Sequence, residues 1–293
     1  MLSLHTNAAA LAAQNAITRN QASLATSQTR LSTGFRVNSA MDDAAGLQIA
    51  TRLQYQTSGM AVAQRNTQNS ISLMQTAEGA LDETTNILVR MKDLATQAAD
   101  GSSNNNDRTA MQSEFDALTA ELSNIVGNTS FGGQKLMNST NGTFTAAVNF
   151  QIGASTAETM SVDMSTQVNA MQTALQGAAA NYDSTGVNTS STAGTELTTS
   201  TSASASIDKL ASAIDSVSTV RSALGATSNR LDHIFNNLAN VSTNTKAATG
   251  RILDTDFAAE SSNMTSNQML LQAGTAMLKQ SNSTSSLVLS LLQ

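Results

Sequence analysis

The sequence predicts a mainly α protein, a long antiparallel coiled-coil bundle built by its N- and C-terminal halves around a small β-hairpin insert. Three observations carry this. The 293-residue chain has no Pro, where average usage would supply roughly fifteen, and an internal Pro costs about 3 kcal/mol in a helix. Apolar residues recur in steps of seven near both ends. One stretch in the middle switches to strict alternation. Hydrophobic residues reach 40%, with only 3% aromatic and 12% charged. A chain so poor in rings packs thin Ala, Leu and Met seams more readily than a thick interior.

Taken in order, residues 3–36 are rich in Ala and Gln and read as a helix. Leu4, Leu11, Leu24 and Leu31 form its narrow seam, and Ser32-Thr33-Gly34 supplies a stop. Residues 42–99 give the strongest helix pattern. Leu73, Ala80, Ile87 and Leu94 make one seven-residue column, and Met74, Leu81, Leu88 and Ala95 a second beside it. Together they form a stripe too wide for one partner. At 1.5 Å per residue such a rod is on the order of 80 Å long, and it needs other helices to cover its stripe. Asp42 and Asp43, just ahead of Gly46, read as the cap of this helix, because carboxylates accept its free N–H groups and favour its dipole. Residues 100–106 read as a loop. Residues 107–126 form a shorter helix with Met111, Phe115, Leu118, Leu122 and Ile125 at 4-3-4-3 spacing.

The alternation follows. Phe144, Ala146, Val148, Phe150 and Ile152 pair with Met160, Val162 and Met164 across a turn at 153–158, predicting a hairpin within about 143–165. Residues 184–206 are a Ser/Thr tract with too little apolar content to bury a core, and read as a surface loop or a truncated insertion. From 207 onward the chain is helical. Leu210, Val217, Leu224, Leu231 and Leu238 lead the pattern, Arg221 and Ser228 interrupt it, and Gly250 allows a bend. Met264, Leu271 and Leu278 then step by seven toward a sticky tail that includes Leu289 and Leu292. Neither terminal seam can be satisfied alone, so the N-terminal helices should pair with the C-terminal ones, and the pair should seek further copies of itself.

Composition excludes several functions. No Cys removes disulfides, thiol catalysis and Cys-ligated metals. Two distant His, His5 and His233, leave no metal site, and no cofactor is expected. A net charge of −6 argues against nucleic acid. No run of 18 apolar residues argues for a membrane span, and the N-terminus lacks the basic start and apolar core of a secretory signal. No nucleophile, base and pocket signal accompanies the paired carboxylates, so no enzyme is expected.

The motifs then resemble a family. The run Arg30-Leu31-Ser32-Thr33-Gly34-Phe35-Arg36-Val37-Asn38-Ser39-Ala40-Met41-Asp42-Asp43-Ala44-Ala45-Gly46-Leu47 is similar to the signature of bacterial flagellin. So are Gln75-Thr76-Ala77-Glu78-Gly79-Ala80-Leu81, Thr129-Ser130-Phe131-Gly132-Gly133-Gln134-Lys135-Leu136, Arg251-Ile252-Leu253-Asp254-Thr255-Asp256-Phe257 and Leu289-Ser290-Leu291-Leu292. The resemblance is two-ended, over roughly 1–175 and 205–293. It implies a short-form, extracellular filament subunit of the bacterial flagellum that serves motility. Such a subunit is exported unfolded through the type III route, and its partners are itself, cap and hook-associated proteins and a C-terminal export chaperone.

The resemblance further implies inner-layer helices at 1–43 and 251–293, outer-layer segments at 44–183 and 207–250, and a variable loop at 184–206. Asp42, Asp43 and Gly46 would form the joint between layers. Leu4, Leu11, Leu24, Leu31, Met264, Leu271, Leu278, Leu289 and Leu292 would form the inner assembly seam. Arg90, Leu94 and Glu114 align with positions bound by the host's innate-immune Toll-like receptor for flagellin, at protofilament contacts. Some flagellins carry O-linked sugars, for which Thr189, Ser190, Ser191, Thr192, Thr198, Thr199 and Ser200 are the candidates. The alternatives are a hook–filament junction protein, which shares terminal motifs, and a secreted monomeric adhesin or immune ligand.

Overall fold

A computed structural model describes residues 7–186 and 193–290, with the backbone alone for 285–290. Leu4, Leu292, Thr189, Ser190, Ser191 and Thr192 lie outside the described residues, as does the side chain of Leu289. Of the described residues 75% are helical, in six α-helices accompanied by two small antiparallel strand pairs. It divides into a terminal unit, residues 1–57 with 243–293, and a central unit, 58–242.

In the terminal unit, α1 (Ala8–Thr33) packs against α6 (Phe257–Ser290). Asn7 caps α1 by accepting from Ala10 N–H, and Gly34 ends it in the left-handed region at φ 78°. The half-buried positions of α6 run 264, 267, 271, 274, 278 and 281, and those of α1 include 10, 13, 17, 20, 24 and 31, both at 3-4 spacing. Leu24, Leu31, Met264, Leu271 and Leu278 therefore sit at half-buried positions of the α1–α6 pair. Leu11 does not, and is 58% exposed. The reason is arithmetic. Leu11 and Leu24 are thirteen residues apart, one short of two heptads, so at 100° per residue they fall in different columns of the helix.

The central unit holds both core clusters found among the described residues. Its frame is α2 (Ala44–Ala99), α3 (Asn105–Asn128) and α5 (Ser200–Leu253). The column Met74, Leu81, Leu88, Ala95 is wholly buried, and Leu73 and Ala80 of the neighbouring column are partly covered. Phe115, Leu122, Leu210, Val217, Leu224 and Leu231 meet them in one cluster. Asn104 and Asp107 start α3 with reciprocal capping bonds. Arg221, which interrupts the α5 series, reaches Asp82 of α2 at 2.9 Å.

Three readings change and two elements are added. The alternating segment pairs as β3 (Val148–Gln151) with β4 (Thr159–Val162), shorter than expected. Phe144 lies in a 3-10 turn and Met164 caps the next helix. A smaller hairpin precedes it, β1 (Ser130–Phe131) with β2 (Gln134–Lys135), turned by Gly132 and Gly133 at φ 59° and 86°. Two successive positive-φ residues are what a two-residue primed turn requires. Residues Ser165–Ala178 form α4, which buries Val168, Met171 and Leu175. The Ser/Thr tract is not surface loop throughout, since α5 already begins at Ser200 and both Leu197 and Ala203 are fully buried. Finally, the chain turns after Leu253, not at Gly250. A Cβ on Gly250 would lie 2.6 Å from an Asp254 carboxylate oxygen, so this glycine makes room for the turn that follows it.

Candidate functional site

The expected carboxylate joint is a built turn in the terminal unit. Asp43 caps α2, its Oδ1 accepting from Gly46 N–H at 2.8 Å, while Arg36 stands 3.8 Å from its other oxygen. A Cβ at position 46 would sit 2.3 Å from that carboxylate, which is why glycine suits this first turn. Asp42 faces back along the chain and accepts from the N–H groups of Asn38 and Ser39 at 3.1 and 2.9 Å. These bonds, with the Ser39 hydroxyl and the charge of Arg30, hold its carboxyl below the ordinary value of 3.8.

A group depressed in this way stabilises the turn above its free pKa, and the contribution is lost as pH falls through the folded value. The Ser39 amide resonance of the full chain is therefore expected to titrate with a midpoint below 3.8. Asp42→Asn is expected to remove that titration.

Beside this turn the two interhelical linkers hold one another, which the sequence reading did not anticipate. Phe35 and Asp254 form an isolated antiparallel bridge. Arg36 N–H donates to Leu253 C=O at 2.6 Å, and Thr255 N–H to Gly34 C=O at 3.0 Å. The Arg36 guanidinium also donates to Ile252 C=O at 2.9 Å. Asp256 caps α6 by accepting from Ala258 and Ala259. More than 200 residues separate the partners, so no local pattern could have paired them. The available signal was that both linkers carry helix-stop chemistry, Ser-Thr-Gly and Asp-Thr-Asp.

In the central unit, Arg90 and Glu114 meet. Arg90 Nε and Nη2 donate to Glu114 Oε1 at 2.9 and 2.6 Å, with both side chains about half exposed. Such a pair contributes little to stability in water. Leu94 differs: it is 2% exposed and belongs to the core. Of the candidate sugar acceptors within the described residues, Thr198 and Thr199 are exposed. Ser200 is half-buried, its hydroxyl donating to Ala99 C=O at 2.6 Å.

The remaining functional character is apolar. Of the twelve large hydrophobic side chains exposed among the described residues, all but Val62, Val89 and Val241 belong to the terminal unit. Among the described residues there is no group of metal-ligating side chains and no helix long and apolar enough to cross a membrane.

Paired terminal helices, apolar side chains left bare on the terminal unit and core clusters confined to the central one define a helical protein of structural type. The comparisons name the class. A model of the bacterial flagellin N-terminal helical region matches residues 4–142, and one of the C-terminal helical region matches 207–292. Polar flagellin F of Vibrio parahaemolyticus is 34% identical over 378 aligned residues, covering 99% of each chain. Flagellin D of Vibrio cholerae is 35% identical over the same length and coverage. Flagellin A of Vibrio anguillarum is 34% identical over 381 residues, covering 100% of each chain.

The chain belongs to the bacterial flagellin family. Flagellins are structural subunits, not enzymes, that self-polymerise into the extracellular flagellar filament. The alignments are longer than this chain, so part of each relative has no counterpart here. A Bacillus cereus flagellin structure is 31% identical, with a TM-score of 0.47, and covers 63% of this chain and 94% of that one. A flagellar hook-associated protein structure from Vibrio parahaemolyticus shares the fold at 16% identity, with a TM-score of 0.55, and covers 73% of this chain and all of that one.

Proposed function

We propose that this chain is exported unfolded, then polymerises at the filament tip under a cap, with its terminal unit completing its burial only against neighbouring copies. The observation that carries this is the uneven apolar surface. Leu270 and Met277, seven residues apart on α6, stand more than half exposed, and a monomer has no reason to display such a stripe. The same stripe suits an export chaperone, which would shield it before secretion, and hook-associated proteins at the filament ends. The turn at Asp42, Asp43 and Gly46 would join an inner layer to an outer one. Absence of Cys fits a chain that passes through an unfolded state and assembles without cross-linking. Negative-stain microscopy of the purified full chain after seeding tests the reading. Long filaments are expected, and discrete particles under every seeded condition would overturn it.

The reading extends to host recognition. The exposed Arg90–Glu114 pair presents a charged patch to a Toll-like receptor, with buried Leu94 supporting the helix beneath it in sequence terms by anchoring the same stretch of α2. In a receptor-reporter cell assay, Arg90→Ala and Glu114→Ala are each expected to lower potency about tenfold, the effect of losing about 1.4 kcal/mol at an interface. Unchanged potency would remove the receptor from the list of partners. O-linked sugars on Thr198 and Thr199 would raise the intact mass of filaments above that of the bare chain.

A further inference from the structure

We infer that Met269 and Met277 are oxidation sites through which a two-electron oxidant arrests assembly before it harms the fold. The inference rests on the reading of α6 as an assembly surface. Its ground is the distribution of the methionines. Of the 13 Met in the chain, eight lie in the central unit, and none of these is more than 8% exposed. The three that stand exposed, Met41 at 97%, Met269 at 59% and Met277 at 66%, all belong to the terminal unit. Met264 there is half-buried, and Met1 lies outside the described residues. Thioethers that hold the core are therefore closed off from solvent, and those on the terminal unit are open to it.

Exposure sets the order of reaction, because the oxidant must reach the sulfur. With hydrogen peroxide, a sulfur lone pair attacks one peroxide oxygen, and the S–O bond forms as the O–O bond breaks. The proton left on that oxygen joins the departing hydroxide as water. Sulfur loses two electrons and the peroxide gains them. The product sulfoxide is polar and chiral where the thioether was apolar and flexible. On α6 that change falls on the bare face. Met277 stands one heptad from Leu270, so the two share a column, and Met269 lies about 80° round the helix from Met277 at 100° per residue. Neither methionine occupies a half-buried position of the α1–α6 pair. Oxidation at these two sites leaves packing within the chain intact and removes apolar area that a neighbouring copy would cover. Met41 sits apart from this face, in the turn ahead of α2, and reports the oxidant dose.

The test treats the soluble full-length chain with hydrogen peroxide, maps oxidation by peptide mass spectrometry, and then seeds assembly. Met41, Met269 and Met277 should gain oxygen about tenfold faster than the central-unit methionines. Conversion at positions 269 and 277 should raise the critical concentration for filament growth about tenfold. Methionine sulfoxide reductases of both epimer specificities, with dithiothreitol, should restore growth. Met269→Leu with Met277→Leu conserves apolar volume. That variant should polymerise like the parent and stay insensitive to peroxide while its Met41 is still oxidised. Central methionines that react as fast as the exposed three, growth unmoved by oxidation at 269 and 277, or a double variant inhibited as strongly as the parent would each overturn the inference. The reductase arm decides independently of the variant, since growth that does not return also overturns it. Failure of the untreated parent to polymerise would overturn the assembly reading, and this inference with it.

Discussion

Replacing Leu270 and Met277 together by Asp is expected to abolish filament growth while leaving the fold of the central unit unchanged. Both side chains lie on α6 away from its seam with α1, 53% and 66% exposed. They contribute nothing to the core clusters, which lie elsewhere in the chain. If they are buried only between copies, each gives about 1.5–3 kcal/mol to every assembly step. Losing both, on the order of 4 kcal/mol, raises the critical concentration roughly a thousandfold at 1.4 kcal/mol per decade. The buried carboxylates add a further cost. Sedimentation of seeded mixtures measures the loss, and calorimetry of the soluble chain checks the fold. Filament growth at the parent's critical concentration would show that this face is not an assembly surface. Leu11→Asp is a useful companion, since Leu11 is likewise exposed on α1.

How far the sequence carried the fold depended on the range of the interactions. The long helices were legible because seven-residue columns such as Met74, Leu81, Leu88 and Ala95 are local patterns, and the structure buries that column completely. Leu11 was assigned to the wrong column because two correct seven-residue steps were joined across a gap of thirteen. The α4 helix is short, and its Val168, Met171 and Leu175 are outnumbered by Gln, Asn, Ser and Thr, which left it without a reading of its own. The site divides in the same way. Asp43 and Gly46 announce a cap by type and spacing. The bridge of Phe35 with Asp254, and the meeting of Arg90 with Glu114, are tertiary events with no periodicity to betray them.

The clearest failure of local reading is the end of the Ser/Thr tract, and it yields the second large effect. Leu197 is fully buried because a polar network draws the chain inward. Gln112, itself 3% exposed, accepts from Leu197 N–H at 2.6 Å and donates through Nε2 to Asp116 at 2.9 Å and Glu196 at 3.0 Å. Glu196 also accepts from Ala180 N–H at 2.7 Å, and Asp116 from Gly194 N–H at 3.0 Å. One amide group therefore bridges two carboxylates and holds the backbone of the tract. Gln112→Glu keeps the acceptor for Leu197 but removes the bridging donor and sets a third carboxylate against the other two.

The expected cost of Gln112→Glu at neutral pH is about 3 kcal/mol, the scale of a lost charge-assisted hydrogen bond plus like-charge repulsion. For a unit of this size that is about 10 °C in Tm. The sign of its pH dependence is diagnostic. Crowded carboxylates have raised pKa values in the folded state, so the folded variant binds protons more readily than the unfolded chain. Its deficit should shrink as pH is lowered from 7 toward 5, as the cluster takes up a proton and regains a donor. Gln112→Met, which fills the same space without adding a third carboxylate, should show a deficit that moves less over that range. Calorimetry of both variants at pH 7 and pH 5 separates the two. A pH-independent loss in Gln112→Glu would mean that packing at position 112, and not the bridged carboxylates, holds Leu197 in the core.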